Sequence, residues 1–283
     1  MTFAVGVDIG GTKIKCGLVN LQAGKAVETI TFRTPTNKKK LFTKIAKAVT
    51  TLAAQKRIAG VGIGTAGIFK GKLVSAGALP FNNTNVEQEA KNALESKGLK
   101  VEVRAVNDAI AAGLGELHYG GHDEKTLLLL TLGTGIGGSF VDNSPRLKEP
   151  YVRGMEPGQI LLHPDEPELE AQIGTRAMVR FYKGKQKIED SEDLAKLQEQ
   201  GDKHAIRAMN AVASKLAHAL QIITQTHTPE AIVLAGGMRK WEALVEKTRE
   251  EYLRLRSPVP HAKIRITAHE NLGVLGAASL FKK

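Results

Sequence analysis

Val7-Asp8-Ile9-Gly10-Gly11-Thr12-Lys13-Ile14, continuing through Cys16-Gly17-Leu18-Val19-Asn20, is the stretch whose reading decides the fold. An apolar run meets a turn of small residues, and a second apolar run leads to a polar exit. Such runs, broken by glycine, predict a β-hairpin. The same order returns at Leu130-Thr131-Leu132-Gly133-Thr134-Gly135-Ile136-Gly137-Gly138, which runs on through Ser139-Phe140-Val141-Asp142-Asn143. Each hairpin is followed by an apolar strand ending in glycine, at Val61-Gly62-Ile63-Gly64-Thr65-Ala66-Gly67 and at Ala231-Ile232-Val233-Leu234-Ala235-Gly236-Gly237. The order of hairpin, helix and glycine-ended strand thus occurs twice, and a duplicated α/β domain with a cleft between the halves explains it.

Helices fill the spaces. Leu41, Ile45, Val49 and Leu52 keep helical spacing, as do Ala205, Met209, Val212, Leu216, Leu220 and Ile223. Trp241 to Leu255 reads as a charged amphipathic helix stopped by Ser257-Pro258, and Asp108 to Glu116 as a helix capped by Asn107. Strands alternating with helices predict mostly parallel sheets, with antiparallel hairpins at one side of each half. From Pro145 the chain turns loop-rich, with Pro157, Pro164 and Pro167, and this stretch is a candidate substrate loop.

The 283 residues leave room for two cores, and 42% hydrophobic with 24% charged residues is ordinary for a soluble globular protein. No apolar run approaches the roughly 20 residues that cross a bilayer. The opening Met1-Thr2-Phe3-Ala4-Val5-Gly6-Val7 meets Asp8 with no basic leader, so it reads as a buried strand rather than a signal peptide. A single cysteine, Cys16, excludes an internal disulfide framework, and a cytoplasmic enzyme is the expectation. The formal charge of +11 raises nucleic acid as a partner, but the basic residues are spread and aromatics amount to only 5%. A surface that steers anionic nucleotides is the better reading, with no nucleic acid and no membrane partner expected.

Gly10-Gly11-Thr12-Lys13 offers backbone N–H groups, a hydroxyl and an ammonium in one tight turn, a combination that holds phosphate oxygens. The spacing is not that of a Walker A loop, and a plain hairpin whose glycines serve turn geometry stays open. Asp8, at the strand end, is placed to hold Mg²⁺ directly or through water. Gly133, Thr134 and Gly135 repeat the phosphate-type turn with more glycine than an ordinary hairpin needs. Two such turns in equivalent halves predict one triphosphate held by both, and Gly236-Gly237 suits an adenine and ribose shelf. Asn107-Asp108 satisfies a helix N-cap whatever else it does.

These motifs together resemble the ROK family (repressors, open reading frames, sugar kinases). The resemblance runs from Asp8-Ile9-Gly10-Gly11-Thr12-Lys13 through Asn107-Asp108 and Leu132 to Gly138. It continues over Ala235-Gly236-Gly237 to Asn271-Leu272-Gly273-Val274-Leu275-Gly276-Ala277-Ala278. It implies duplicated actin-like ATPase (ribonuclease H-like) domains and phosphorylation of a hexose or hexosamine with ATP and Mg²⁺, glucokinase-like. The expected division is an N-terminal domain over 1–112, joined by a returning helix at about 270–283, and a C-terminal domain over 113–269. By the same resemblance Asp108 is the catalytic base, Asn107 binds a neighbouring sugar hydroxyl, and the protein is a homodimer. Physically, a carboxylate that accepts the proton of a sugar hydroxyl helps a poor nucleophile.

The sugar side departs from the family pattern. With one cysteine, the family's zinc site of one His and three Cys cannot form, so no structural zinc is expected. Gln159 stands where the family has a Glu, in Gly158-Gln159-Ile160-Leu161-Leu162-His163, and His163 sits one place late. His163 is either a sugar contact or a loop residue beside Pro164, whereas Glu170 matches a sugar-binding Glu of related kinases. Ala78 falls at the family's sugar-binding Asn, so Asn82 or Asn83 is the candidate substitute, and Thr65-Ala66-Gly67 replaces a Pro-Gly turn, with Gly67 on the sugar side. Besides an ATP-dependent kinase, the open alternatives are a polyphosphate-dependent glucokinase and a non-catalytic sugar- or nucleotide-binding protein. A transcriptional repressor is disfavoured, because only seven residues precede Asp8 where family repressors carry a DNA-binding segment.

Overall fold

A computed structural model of the chain describes residues 1–54, 56–77, 79–133 and 135–282. Among these, the first half runs β1 (Phe3–Ile9), β2 (Lys13–Asn20), β3 (Lys25–Arg33), α1 (Lys38–Ala53), β4 (Ile58–Thr65), β5 (Ile68–Lys70), β6 (Leu73–Ser75), β7 (Thr84–Asn85), α2 (Val86–Glu95), β8 (Val103–Asn107) and α3 (Asp108–Tyr119). There follow β9 (Thr126–Leu132), β10 (Ile136–Asp142), β11 (Tyr151–Met155), α4 (Leu169–Ile173), α5 (Thr175–Phe181), α6 (Ser191–Glu199), α7 (Lys203–His227), β12 (Ala231–Ala235), α8 (Glu242–Arg254), β13 (Lys263–Ile266) and α9 (Leu272–Ser279).

The repeat read from the sequence is present as two sheets of one design. One has the order β3-β2-β1-β4-β8 and the other β11-β10-β9-β12-β13. In each, a hairpin pairs antiparallel, β1 with β2 and β9 with β10, and its first strand pairs parallel with the glycine-ended strand, β4 or β12. The fold is therefore a duplicated α/β arrangement of the actin-like ATPase type. Two compact units carry these sheets: Met1–His122 with Val152–Gly154 and His269–Lys283, and Asp123–Tyr151 with Met155–Ala268. All of α3 lies in the first unit, so the division falls at His122 rather than at 112, because α3 packs along α9.

The central strands of each sheet are buried at consecutive positions, so both faces are covered, and alternate side chains go to each face. In the first unit, Val5, Val7, Ile9 and Ile63 pack against Leu41, Ile45, Val49 and Leu52 of α1 and Val86, Ala90 and Leu94 of α2. In the second, Leu128, Leu130, Leu132, Ile232 and Leu234 pack against Val212, Leu216, Leu220 and Ile223 of α7 and Leu244 and Val245 of α8. The predicted helical stripes are the buried faces. Two details differ from the sequence reading. The loop-rich stretch contains β11, and Trp241 precedes α8, which a short 3-10 turn at Gly237–Lys240 introduces.

The opposite face of the first sheet is covered by α9, which lies almost backbone to backbone against it. A Cβ built on Gly6 would come within 1.9 Å of the Val274 carbonyl oxygen, and one on Gly62 within 1.8 Å of that of Ala277. On the helix itself, a Cβ on Gly276 would come within 1.5 Å of the Ala111 oxygen of α3. Ala4, Val19 and Leu21 close over Val274, Leu275, Ala278 and Phe281 around this contact. The Gly62→Ala protein should lose about 3 kcal/mol or more, since neither backbone can retreat alone. Gly77→Ala, with open space at its Cβ, should stay within about 0.5 kcal/mol. Urea unfolding measures both, and equal midpoints for the two variants would refute this account of α9 docking.

Candidate active site

In the first unit β1 carries Asp8, directly opposite Gly64 of β4, which in turn faces Val106 of β8. Because Gly64 lacks a side chain, the first turn of α3 settles on it: a Cβ there would meet the Ala111 Cβ at 2.9 Å and the Asp108 Cα at 3.7 Å. This brings Asp108 to the side of the sheet on which Asp8 lies. From above, Gly273 at the start of α9 closes on the Asp8 carboxylate, with room for no Cβ beyond 2.8 Å from Oδ2. Burial, and then the neighbouring Asp108 charge, push the Asp8 carboxyl up to about 6, and Lys15 and Lys13 offset this only in part. Asp108 is also raised, chiefly by burial, against the pull of hydrogen bonds from backbone N–H groups at Ala109 and its own position.

Asn107 is the N-cap of α3, accepting from Ala109 N at 2.9 Å and Ile110 N at 3.4 Å, and its Nδ2 donates to the Gly67 oxygen at 3.2 Å. The side chain thus holds the helix start and the Gly67 turn together. Gly67 itself, at φ +126°, leaves no room for a side chain beside Ser75 and Ala76.

At the first glycine turn the Gly10 N–H donates to the Lys13 oxygen at 3.1 Å. It closes the hairpin instead of facing outward, and the N–H groups of Gly11 and Thr12 are the ones with no hydrogen bond among the described residues. Thr34, just past β3, ties the turn from the side: its N–H donates to Thr12 O at 3.0 Å and its Oγ1 to Gly10 O at 2.7 Å. Asn82 lines a 460 Å³ pocket with Pro80, Phe81 and Ser75. Asn83 lies beyond that lining, in a left-handed turn at φ +46° that donates its N–H to Ser75 Oγ at 3.0 Å.

In the second unit Gly133 N donates to the Gly135 oxygen at 3.1 Å, closing a turn one residue shorter than that at Gly10. Thr134 lies outside the described residues, as does Ala78. Gly135, Gln159 and Glu170 come together in a pocket of 1210 Å³ that Glu156, Glu168 and Arg176 also line. Glu170 Oε2 accepts from Ile136 N at 2.8 Å, and a Cβ on Gly135 or Gly158 would meet that oxygen at 2.8 or 3.2 Å. These glycines let the carboxylate lie against the hairpin, at the lining of the pocket. His163 is not in that lining; it is exposed, with Nδ1 3.7 Å from Asp165 Oδ2. Gly236, at φ +85°, ends β12 so close to β9 that a Cβ would sit 2.3 Å from the Leu132 oxygen, whereas Gly237 has open space. Sequence reasoning missed Arg176 and Arg180, one turn apart on α5. The signal was their spacing just after Gly174-Thr175, and only folding turns it toward Glu170.

Whether this chemistry suits Mg²⁺ can be judged from the acids. Asp8 and Asp108 leave a carboxylate charge that their surroundings destabilise, which a hard dication neutralises. Among the described residues no group of three or more His, Cys, Asp or Glu side chains converges as metal ligands. A cation here would draw its other ligands from water and phosphate oxygens, which is the habit of Mg²⁺. The residues fit the ion.

Comparison with known proteins agrees with this fold. The profile of the ROK family matches residues 4–283, and the chain belongs to that family. It is 30% identical to the glucokinase of Thermotoga maritima over 99% of this chain and 97% of that one. Among solved structures it is similar to a ROK family glucokinase from Streptomyces griseus in complex with glucose and AMPPNP, with a TM-score of 0.82, 26% identity and 98% of each chain covered. It is also similar to an inorganic polyphosphate/ATP-glucomannokinase from Arthrobacter sp. strain KM, with a TM-score of 0.70 and 26% identity, over 99% of this chain and 98% of that one.

In the metal-free protein the Asp8 carboxyl should titrate near 6. In Asp108→Asn it should move down, since a like charge is gone, yet stay above 3.8, since burial is the larger cause. Carboxyl-carbon NMR titration reads this directly, and an Asp8 value unmoved by the substitution would show that the two acids do not interact.

Proposed function

We propose that this chain, a carbohydrate kinase, transfers the γ-phosphoryl group of ATP to a hydroxyl of a hexose or N-acetylhexosamine, by family default the 6-hydroxyl. The observation that carries the reading is the pair of acids, Asp8 and Asp108, set on one side of the first sheet beside the Gly10–Lys13 turn and only partly offset by neighbouring protein groups. Asp108 accepts the proton of the attacking hydroxyl, for which a carboxyl raised by burial is a better base than an exposed one. Asp8 holds Mg²⁺ directly or through water, and when bound the ion neutralises charge on the transferring phosphate oxygens. Gly11 and Thr12 offer N–H groups and a hydroxyl to phosphate, Lys13 adds its ammonium, and Gly10 sets the turn. In the second unit, Gly133, Thr134 and Gly135 serve phosphate and Gly236-Gly237 the nucleoside. Glu170 and Gln159 serve sugar hydroxyls. Asn107, Gly67 and Asn82 support the sugar side of the first unit. Asn83 and His163 have the weakest geometric support, one in a left-handed turn and the other on an exposed loop.

A second reading keeps the chemistry and replaces ATP by inorganic polyphosphate. The charge of +11 and the similarity to the Arthrobacter enzyme favour it. By family resemblance we further propose a cytoplasmic homodimer.

The test is a sugar-panel phosphorylation assay run with ATP and with polyphosphate. One or more hexoses or hexosamines should drive product formation, and donor competition ranks the two donors. In Asp108→Ala, kcat should fall on the order of 10²-fold or more, while nucleotide affinity measured by calorimetry is kept. Turnover near that of the unaltered protein would remove Asp108 from the chemistry, and silence across the whole panel with both donors would leave a binding protein.

A further inference from the structure

Lys13 and Arg33 stand directly opposite each other across the β2–β3 pair. Like charges in that relation destabilise a sheet. Both side chains are exposed, and neither has an ion pair or hydrogen bond among the described residues. The β1–β2 register places Lys15 opposite Asp8, and Lys13 lies two residues before Lys15 on β2. Side chains two apart, or directly opposite on paired strands, share a face. Asp8, Lys15, Lys13 and Arg33 therefore share one face of the first sheet, the Lys13–Arg33 pair one step along β2 from the Asp8–Lys15 pair. Lys15 is engaged, with Nζ donating to Asn271 Oδ1 at 2.8 Å. Lys13 and Arg33 make no such contact; Lys13 acts on Asp8 only through its charge. Their position is fixed relative to the glycine turn, because the residue after Arg33, Thr34, makes the two hydrogen bonds to Thr12 and Gly10 described above.

A cross-strand pair of cations without an ion pair or hydrogen bond among the described residues, pinned beside a turn whose Gly11 and Thr12 N–H groups make no hydrogen bond among them either, is unfavourable in the empty protein and favourable around an anion. We propose that Arg33, with Lys13 across from it, forms a second phosphate subsite adjoining the Gly10–Lys13 turn, taking a further phosphate of the donor's chain. The subsite rests on the kinase reading of that turn and adds to it a guanidinium that can bind a phosphate through two parallel N–H···O bonds. The chain it receives is either the phosphate tail of a nucleotide or an inorganic oligophosphate.

The experiment measures binding, not turnover. Calorimetry with inorganic tripolyphosphate, long-chain polyphosphate, ATP and adenosine is run on the unaltered protein, Arg33→Gln and Arg33→Lys. Arg33→Gln should weaken tripolyphosphate by about tenfold or more, Arg33→Lys should recover part of this, and adenosine should bind all three alike. Equal losses for ATP and tripolyphosphate assign the subsite to the nucleotide's own phosphates, and a loss confined to inorganic chains assigns it to those. Without ligand, Arg33→Gln should melt at or above the unaltered protein, since a repulsion is removed. Tripolyphosphate binding unchanged in Arg33→Gln overturns the proposal, even if the unaltered protein phosphorylates sugars. Arg33-dependent binding in a protein inactive on the whole sugar panel would sustain the subsite and sink the kinase reading.

Discussion

The first unit depends on the contact of α9 with bare backbone. At Gly6, Gly62 and Gly276 the polypeptide approaches itself more closely than any side chain allows. That approach sets the height of α9 above the sheet, and with it the position of Gly273 against the Asp8 carboxylate and of Asn271 against Lys15. Raising the helix by the width of a methyl group would let water reach Asp8 and relax the shift that burial imposes on it. Glycines far from any phosphate thus tune the acid that the proposed chemistry uses.

A second consequence of the same economy is visible in the hairpins. Both glycine turns close on themselves, through Gly10 N–H and Gly133 N–H, before they offer anything to a ligand. What distinguishes them is what lies beside each. The first has Asp8, Lys13 and Arg33 on one face of the sheet, and the second has Glu170 accepting from Ile136 N. One design of sheet, used twice, carries different chemistry because the hairpin residues themselves differ and because different elements close on each turn. In the first unit these are β3 and α9; in the second it is α4.

The fold was legible in the sequence because its signals are periodic and local. Runs such as Leu127 to Leu132, and the helical stripe from Ala205 to Ile223, bury the side chains that their spacing picks out, and the twofold recurrence of hairpin and glycine-ended strand survives as identical strand order. The motif residues Asp8, Asn107 and Asp108 could also be found by inspection, since they end strands or begin a helix. The strand β11 was hidden, because Tyr151 to Met155 lies among prolines and has no apolar alternation.

Sequence alone determined the class of fold, the family and the impossibility of a multi-cysteine metal site, and it supplied the acids of the proposed chemistry. Only the tertiary structure decided that Gly64 seats Asp108 beside Asp8, that Asn107 also ties its helix to Gly67, and that Glu170 reaches the second hairpin while His163 does not. It also decided that Lys13 and Arg33, twenty positions apart, stand opposite each other. The reason is one of range. Spacing along a chain reports which residues share a face of one element, whereas charge, burial and contact depend on which elements meet, and that is settled by how closely backbones can approach.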